Sequence, residues 1–226
     1  MPFSVYLRKL NVMKRFFKTV CACALILLCA SMLLVSCKKQ PDDNKYEAGH
    51  FVPPDYSSLD LDDYVVLGKY KGLTLDARDQ ELFPDTFLWT AITDSAEIKD
   101  YPKDAVDYYV VQRTRYYKFY ADSSNMSLEE FMKVAEITQL DIIAEAKDCV
   151  KDDLVQLAII KEEGIELTDE EKAKYFDKYV AQYVNVYGYS EEYARENLKD
   201  EIYGSMIYDK MMEFLLLNNT VITLEE

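Results

Sequence analysis

The chain has 226 residues, half of them hydrophobic, with only six glycines and six prolines. That length suits one medium domain with appendages and a sizeable core, and low Gly among many Glu, Lys, Leu, Ala and Tyr residues favours helix. The net charge is −15, but the first 36 residues hold five basic and no acidic side chains, leaving 21 basic against 41 acidic, or −20, on the rest. Such a surface repels nucleic acid and anionic lipid headgroups, which excludes both as electrostatic partners.

Lys14, Arg15 and Lys18 precede an apolar run from Val20 to Val35. A basic start before a short apolar stretch reads as a secretory signal, because a comfortable membrane span takes about 20 residues. Met13 would open such a signal as well as Met1 does. The run ends Leu34-Val35-Ser36-Cys37, which resembles the lipobox of bacterial lipoproteins. In that class the signal is cut before the cysteine, so residues 1–36 are expected to leave and Cys37 to carry a diacylglyceryl-type lipid anchor. Two acyl chains hold a protein stably to a bilayer. The expected location is extracytoplasmic, on the outer face of the cell membrane. Only Cys37 and Cys149 remain, so no disulfide can form within the processed chain, and Cys149 is expected to be buried in a helix.

Residues 37–61 are polar, with Pro41, Pro53 and Pro54, and read as a lipidated tether. The sole histidine, His50, lies here, and one histidine makes no metal site. Residues 62–226 form the expected folded part. Tyr64 to Leu75 alternates β-branched and aromatic residues around two glycines, suggesting a short extended or β segment, two strands with a turn. Glu81 to Thr93 reads as a short helix interrupted by Pro84. It carries the only tryptophan, Trp89, as a core residue.

Tyr101-Pro102 opens a longer helix with Val106, Tyr109, Val110, Tyr116, Tyr117, Phe119 and Tyr120, apolar or aromatic on more than half its circumference. Ser127 and Glu130 have the spacing of a capping box and start a short helix holding Leu128, Phe131, Met132 and Val134. From Thr138 a long helix bears Leu140, Ile143, Val150, Leu154, Leu157 and Ile160 at helical spacing and ends at Gly164. Thr168 and Glu171 make a second capping box. The helix they start carries Tyr175, Phe176, Tyr179, Val180, Tyr183 and Val184 and stops near Gly188. Ser190 caps a long return helix bearing Leu198, Ile202, Met206, Met212, Phe214 and Leu215. The fold class is mainly α, built of helical arms and hairpins.

The run Ile159-Ile160-Lys161-Glu162-Glu163-Gly164-Ile165-Glu166-Leu167-Thr168-Asp169-Glu170-Glu171 resembles the C-terminal domain of the bacterial chaperone trigger factor. Tyr187 to Glu192, Asp209 to Leu216, Asp100-Tyr101-Pro102 and Ser127 to Phe131 follow the same pattern in order. The periplasmic chaperone SurA has a related helical domain. Tyr64 to Leu75 resembles the segment leading into trigger factor's FKBP-type prolyl isomerase domain. Here Asp76 to Ala91 leaves far fewer than the ~50 residues a domain needs, so that domain is expected to be missing.

No Ser-His-Asp or Cys-His set can be assembled, no phosphate-binding glycine loop occurs, and the processed chain holds no metal-spaced cysteine pair, so no catalytic residue, cofactor or metal is expected. The carboxylates of Asp152-Asp153, Glu162-Glu163 and Asp169 to Glu171 read as caps and solvated faces. Arg113-Thr114-Arg115-Tyr116-Tyr117-Lys118 is expected to pair with nearby acids. The resemblance implies an ATP-independent chaperone whose partners are unfolded or nascent exported polypeptides; a homodimer stays open. Tyr and Met suit promiscuous apolar contact. The candidates are Tyr109, Tyr116, Tyr117, Tyr120, Phe131, Met132, Tyr179, Tyr183, Tyr187, Met206, Met211 and Met212. The alternatives are a residual prolyl isomerase and a dedicated extracytoplasmic assembly partner.

Overall fold

A computed structural model of the chain describes residues 53–78 and 83–223. The expectations for residues 1–52, among them the signal, Cys37 and His50, lie outside the described residues. A 3-10 turn, Leu61–Asp63, precedes strand β1 (Val65–Val66) and strand β2 (Thr74–Asp76). Helix α1 (Pro84–Ser95) and strand β3 (Glu97–Ile98) follow. Helices α2 (Lys103–Ser123), α3 (Leu128–Val134) and α4 (Gln139–Glu163) come next. Helices α5 (Asp169–Tyr187), α6 (Glu191–Asn197) and α7 (Lys199–Leu217) lead to strand β4 (Thr220–Ile222).

The helix boundaries have local causes. Thr168 and Glu171 bond each other's backbone amides, as do Ser127 with Glu130 and Thr138 with Asp141, so three helices start at reciprocal caps. Gly164 takes φ +60° and ends α4 in a left-handed residue that a Cβ would strain. Contrary to expectation, Pro84 does not interrupt a helix but starts one. Its fixed φ suits the first turn, where the missing N–H costs nothing. The expected single return helix is two: Leu198, at φ −115° and ψ 23°, leaves the helical region and separates α6 from α7.

The extended segment also differs from a two-stranded turn. β1 pairs antiparallel with β3, Val65 opposite Ile98, whereas β2 pairs parallel with β4, Thr74 opposite Thr220. Distant partners capture the two strands because side chains bind the stretch between them. Asn219 accepts from Leu73 N at 2.8 Å and donates to Tyr70 O at 2.9 Å. Tyr70 and Lys71 both donate to Glu163. Gly68 lies so close to Ser95 that a Cβ would meet its carbonyl oxygen at 2.3 Å. Gly68→Ala should therefore lower stability by about 2 kcal/mol, or roughly 6 °C in Tm, measured by thermal unfolding.

Residues 53–61 are not free tether. Tyr56 packs at the edge of the core, and Leu61 is buried within it. The apolar area they remove from water outweighs the polar character that suggested a linker. The main core joins Leu88 and Ile92 of α1, Val150, Leu154 and Ile159 of α4, and Met211 and Leu215 of α7. Trp89 is half-buried against this core, its ring edge-to-face with Tyr208 at 6.2 Å. On α4 the buried stripe is Ile142, Ala146, Val150, Leu154, Val155 and Ile159, while Ile143, Leu157 and Ile160 are half-buried beside it. A smaller core, Tyr179, Val180, Ala194, Ile202 and Met206, holds α5 and α6 to the first half of α7.

Lys210 of α7 ties the α4–α5 turn down, donating to Glu166 O at 2.7 Å and to both carboxylate oxygens of Glu171. Lys210, then Thr168, holds the Glu171 carboxyl down to about 2 from an ordinary 4.5. A depressed carboxyl pKa contributes stability above the ordinary value and loses it as pH falls. The stability gap between wild type and Lys210→Met should thus be widest above pH 4.5 and close toward pH 2, read by urea unfolding at several pH values.

Candidate functional site

Two arms extend from the main core. In the first, α2 lies along the N-terminal half of α4, with Tyr117, Ala121, Ile142 and Ala146 buried between them. Tyr117 Oη donates to Glu145 at 2.6 Å, and burial first, then that bond, pushes the phenol's pKa up. The arm turns at Asn125 (φ 53°), crosses α3 and turns again at Glu136 (φ 56°). No residue of α3 is buried. With one short helix at the tip and, among the described residues, nothing packed outside it, apolar side chains there are left exposed.

The uncovered residues include Tyr116, Phe119, Met126, Val134 and Leu140, with Phe119 58% and Leu140 77% exposed. Tyr120 is half-buried and sits between rings, 4.8 Å from Tyr116 and 5.6 Å from Phe119. Phe131 and Met132 are half-buried, and Met132 lines a hollow of about 550 Å³ with Leu128, Lys133, Ile137 and Thr138. Toward the base of the same arm, Tyr109, Gln112, Arg113, Arg115, Tyr116 and Cys149 line a second hollow of about 460 Å³. Cys149 is half-buried rather than buried, because it lines this hollow, where Arg113 Nη2 reaches its Sγ at 3.0 Å. Of the basic run, Lys118 pairs with Asp122 as expected, whereas Arg113 turns to this thiol.

The second arm consists of α5, α6 and the start of α7. Tyr175, Val186, Tyr189 and Tyr193 are exposed, and the last two stack at 5.4 Å. Tyr183 is half-buried and bonded to Ser205 at 2.9 Å. Tyr187 ends α5, and its side chain lies outside the described residues.

Five candidates are corrected by these positions. Tyr117, Tyr179, Met206, Met211 and Met212 are buried. Met211 and Met212 fill the main core, and Tyr179 and Met206 build the smaller one. Tyr179 also donates to Asp209 at 2.5 Å, which satisfies its hydroxyl inside. Tyr109, Tyr116, Tyr120, Phe131, Met132 and Tyr183 keep some solvent access. Sequence reasoning missed Phe119, Val134 and Leu140 as surface. The available signal was α2's aromatic content on nearly every face: one packing partner covers one stripe, so another stripe must face out.

Asp153 is likewise not on a solvated face. It is half-buried and accepts from Tyr56 at 2.7 Å and Tyr109 at 2.8 Å. Burial pushes its pKa up, and the two phenols pull it part of the way back. Among the described residues no group of acidic, histidine or cysteine side chains could hold a metal ion.

A family model for the C-terminus of the bacterial trigger factor protein matches residues 87–217. The chain belongs to the trigger factor C-terminal family. No curated protein matches it. The trigger factor C-terminal region begins within α1 and ends at the last residue of α7, so it takes in both arms and most of the core. Its mostly helical structure agrees with that family's fold. Membership carries a chaperone-type role with unfolded polypeptide as partner.

Proposed function

We propose that the protein is a lipid-anchored, ATP-independent chaperone that holds unfolded, newly exported polypeptides outside the cytoplasmic membrane. The observation that carries the reading is the row of uncovered apolar side chains on the first arm of a trigger factor C-terminal fold, above all Tyr116, Phe119 and Leu140. Exposed apolar patches of this kind mark interaction sites. Many weak contacts of adaptable shape suit clients with no common sequence. The half-buried Tyr109, Tyr120, Phe131, Met132 and Tyr183 extend the surface. The net −20 of the processed chain favours keeping the arms off an anionic bilayer.

The anchor rests on the signal-like start and on Cys37. Among the described residues no helix is long and apolar enough to cross a membrane. The missing isomerase domain rests on the short connection between β2, which ends at Asp76, and α1, which begins at Pro84.

The test uses the processed full-length chain. It should suppress aggregation of an unfolded reporter without ATP, leave the rate of proline isomerisation in a short peptide unchanged, and carry fatty acid that Cys37→Ser removes. Isomerase activity would favour the foldase reading. A single stoichiometric partner recovered from membranes would favour a dedicated assembly factor. Failure to hold any unfolded chain would end the chaperone reading.

A further inference from the structure

The stretch Pro53–Asp63 lies across the fold as a strap. Leu61 anchors it in the main core, and Lys161 of α4 stands 3.9 Å from Asp60. Its other fixed point is Tyr56, whose hydroxyl donates to Asp153 Oδ2. Tyr109, on the second turn of α2, donates to the same oxygen. Two elements distant in sequence, the strap and the base of the first arm, therefore meet on one carboxylate of α4.

The shared atom makes the contacts interdependent. While Tyr56 is docked, Asp153 is partly shielded from water, and a hydrogen bond to a shielded carboxylate is worth more than one in water. If the strap leaves, water replaces the Tyr56 phenol and competes with Tyr109 for the oxygen. We propose that the strap is a latch on the first arm: docked through Tyr56, it holds the base of α2 against α4 by way of Asp153, and its departure loosens that base. Tyr109 also forms one wall of the hollow that Arg113 and Cys149 line, so undocking the strap reshapes that hollow. The latch needs no client and operates whether or not the arms hold unfolded chains.

Hydrogen exchange on the full chain tests it. Tyr56→Ala should lower protection of the α2 amides from Val106 to Arg113 about fivefold, the scale of one such hydrogen bond. In a Tyr109→Phe background the same substitution should lower them less than twofold, because the connection through Asp153 is already cut. By reciprocity, Tyr109→Phe alone should lower protection of the amides of Asp63, the last strap residue, and of Tyr64 just after it, which bond strap carbonyls Asp60 O and Leu61 O. Equal losses in the two backgrounds, or α2 protection unchanged by Tyr56→Ala, would overturn the latch. So would strap amides indifferent to Tyr109→Phe.

Discussion

Replacing Phe119 and Leu140 together by glutamate should cut the affinity for unfolded polypeptide at least tenfold while leaving the fold intact. Burying a phenylalanine or leucine side chain against a partner contributes about 1.5–3 kcal/mol. Losing both contacts and placing two charges at the tip removes more than one weak site among many can restore. Both residues face water, Phe119 at 58% and Leu140 at 77% exposure, and exposed substitutions usually change stability by no more than about 0.5 kcal/mol. Aggregation suppression and peptide affinity should therefore fall while Tm stays within a few degrees of wild type. Tyr193→Glu, on the second arm, compares the two surfaces. A double variant that protects the reporter as well as wild type would show that the first arm's tip is not where clients are held.

The second large effect concerns stability and its distribution. Ile202 and Leu154 are both fully buried but belong to different cores. Trimming either to alanine should cost about 3 kcal/mol from lost burial and the cavity left behind. The consequences should differ. Leu154 sits in the main core, which joins the strap, α1, α4 and α7, so Leu154→Ala should reduce protection across the molecule. Ile202 sits in a cluster of five buried residues that holds only the second arm. So small a core opens as its own unit. Ile202→Ala should expose the amides of α5 and α6 to exchange while those of α1 and the C-terminal half of α4 remain protected. Uniform loss across both regions would mean that the arms and body unfold as one.

Local chemistry was readable in the chain. Gly164 left a helix only one way to end, and Thr168 with Glu171 could satisfy the next helix's free amides with no help from elsewhere. The family resemblance was legible for the same reason, since those punctuation marks recur in order. The choice among apolar residues was not. Leu140 and Ile142 are equally apolar and two positions apart, yet one is exposed and the other buried, because a helix's orientation is set by what packs on it. Met211 and Tyr116 looked alike as adaptable surface residues until the C-terminal half of α7 proved central and the far half of α2 peripheral.

The sequence by itself determined where most helices begin and end, because caps, left-handed glycines and prolines act within a few residues of their own position. Only the tertiary structure decided which strands pair, that Leu198 breaks the return helix, that residues 53–61 dock, and which aromatic residues face water. Those outcomes depend on groups far apart in the chain, such as Asn219 with Leu73 and Asp153 with Tyr56, and their meeting is fixed by the packing of the whole.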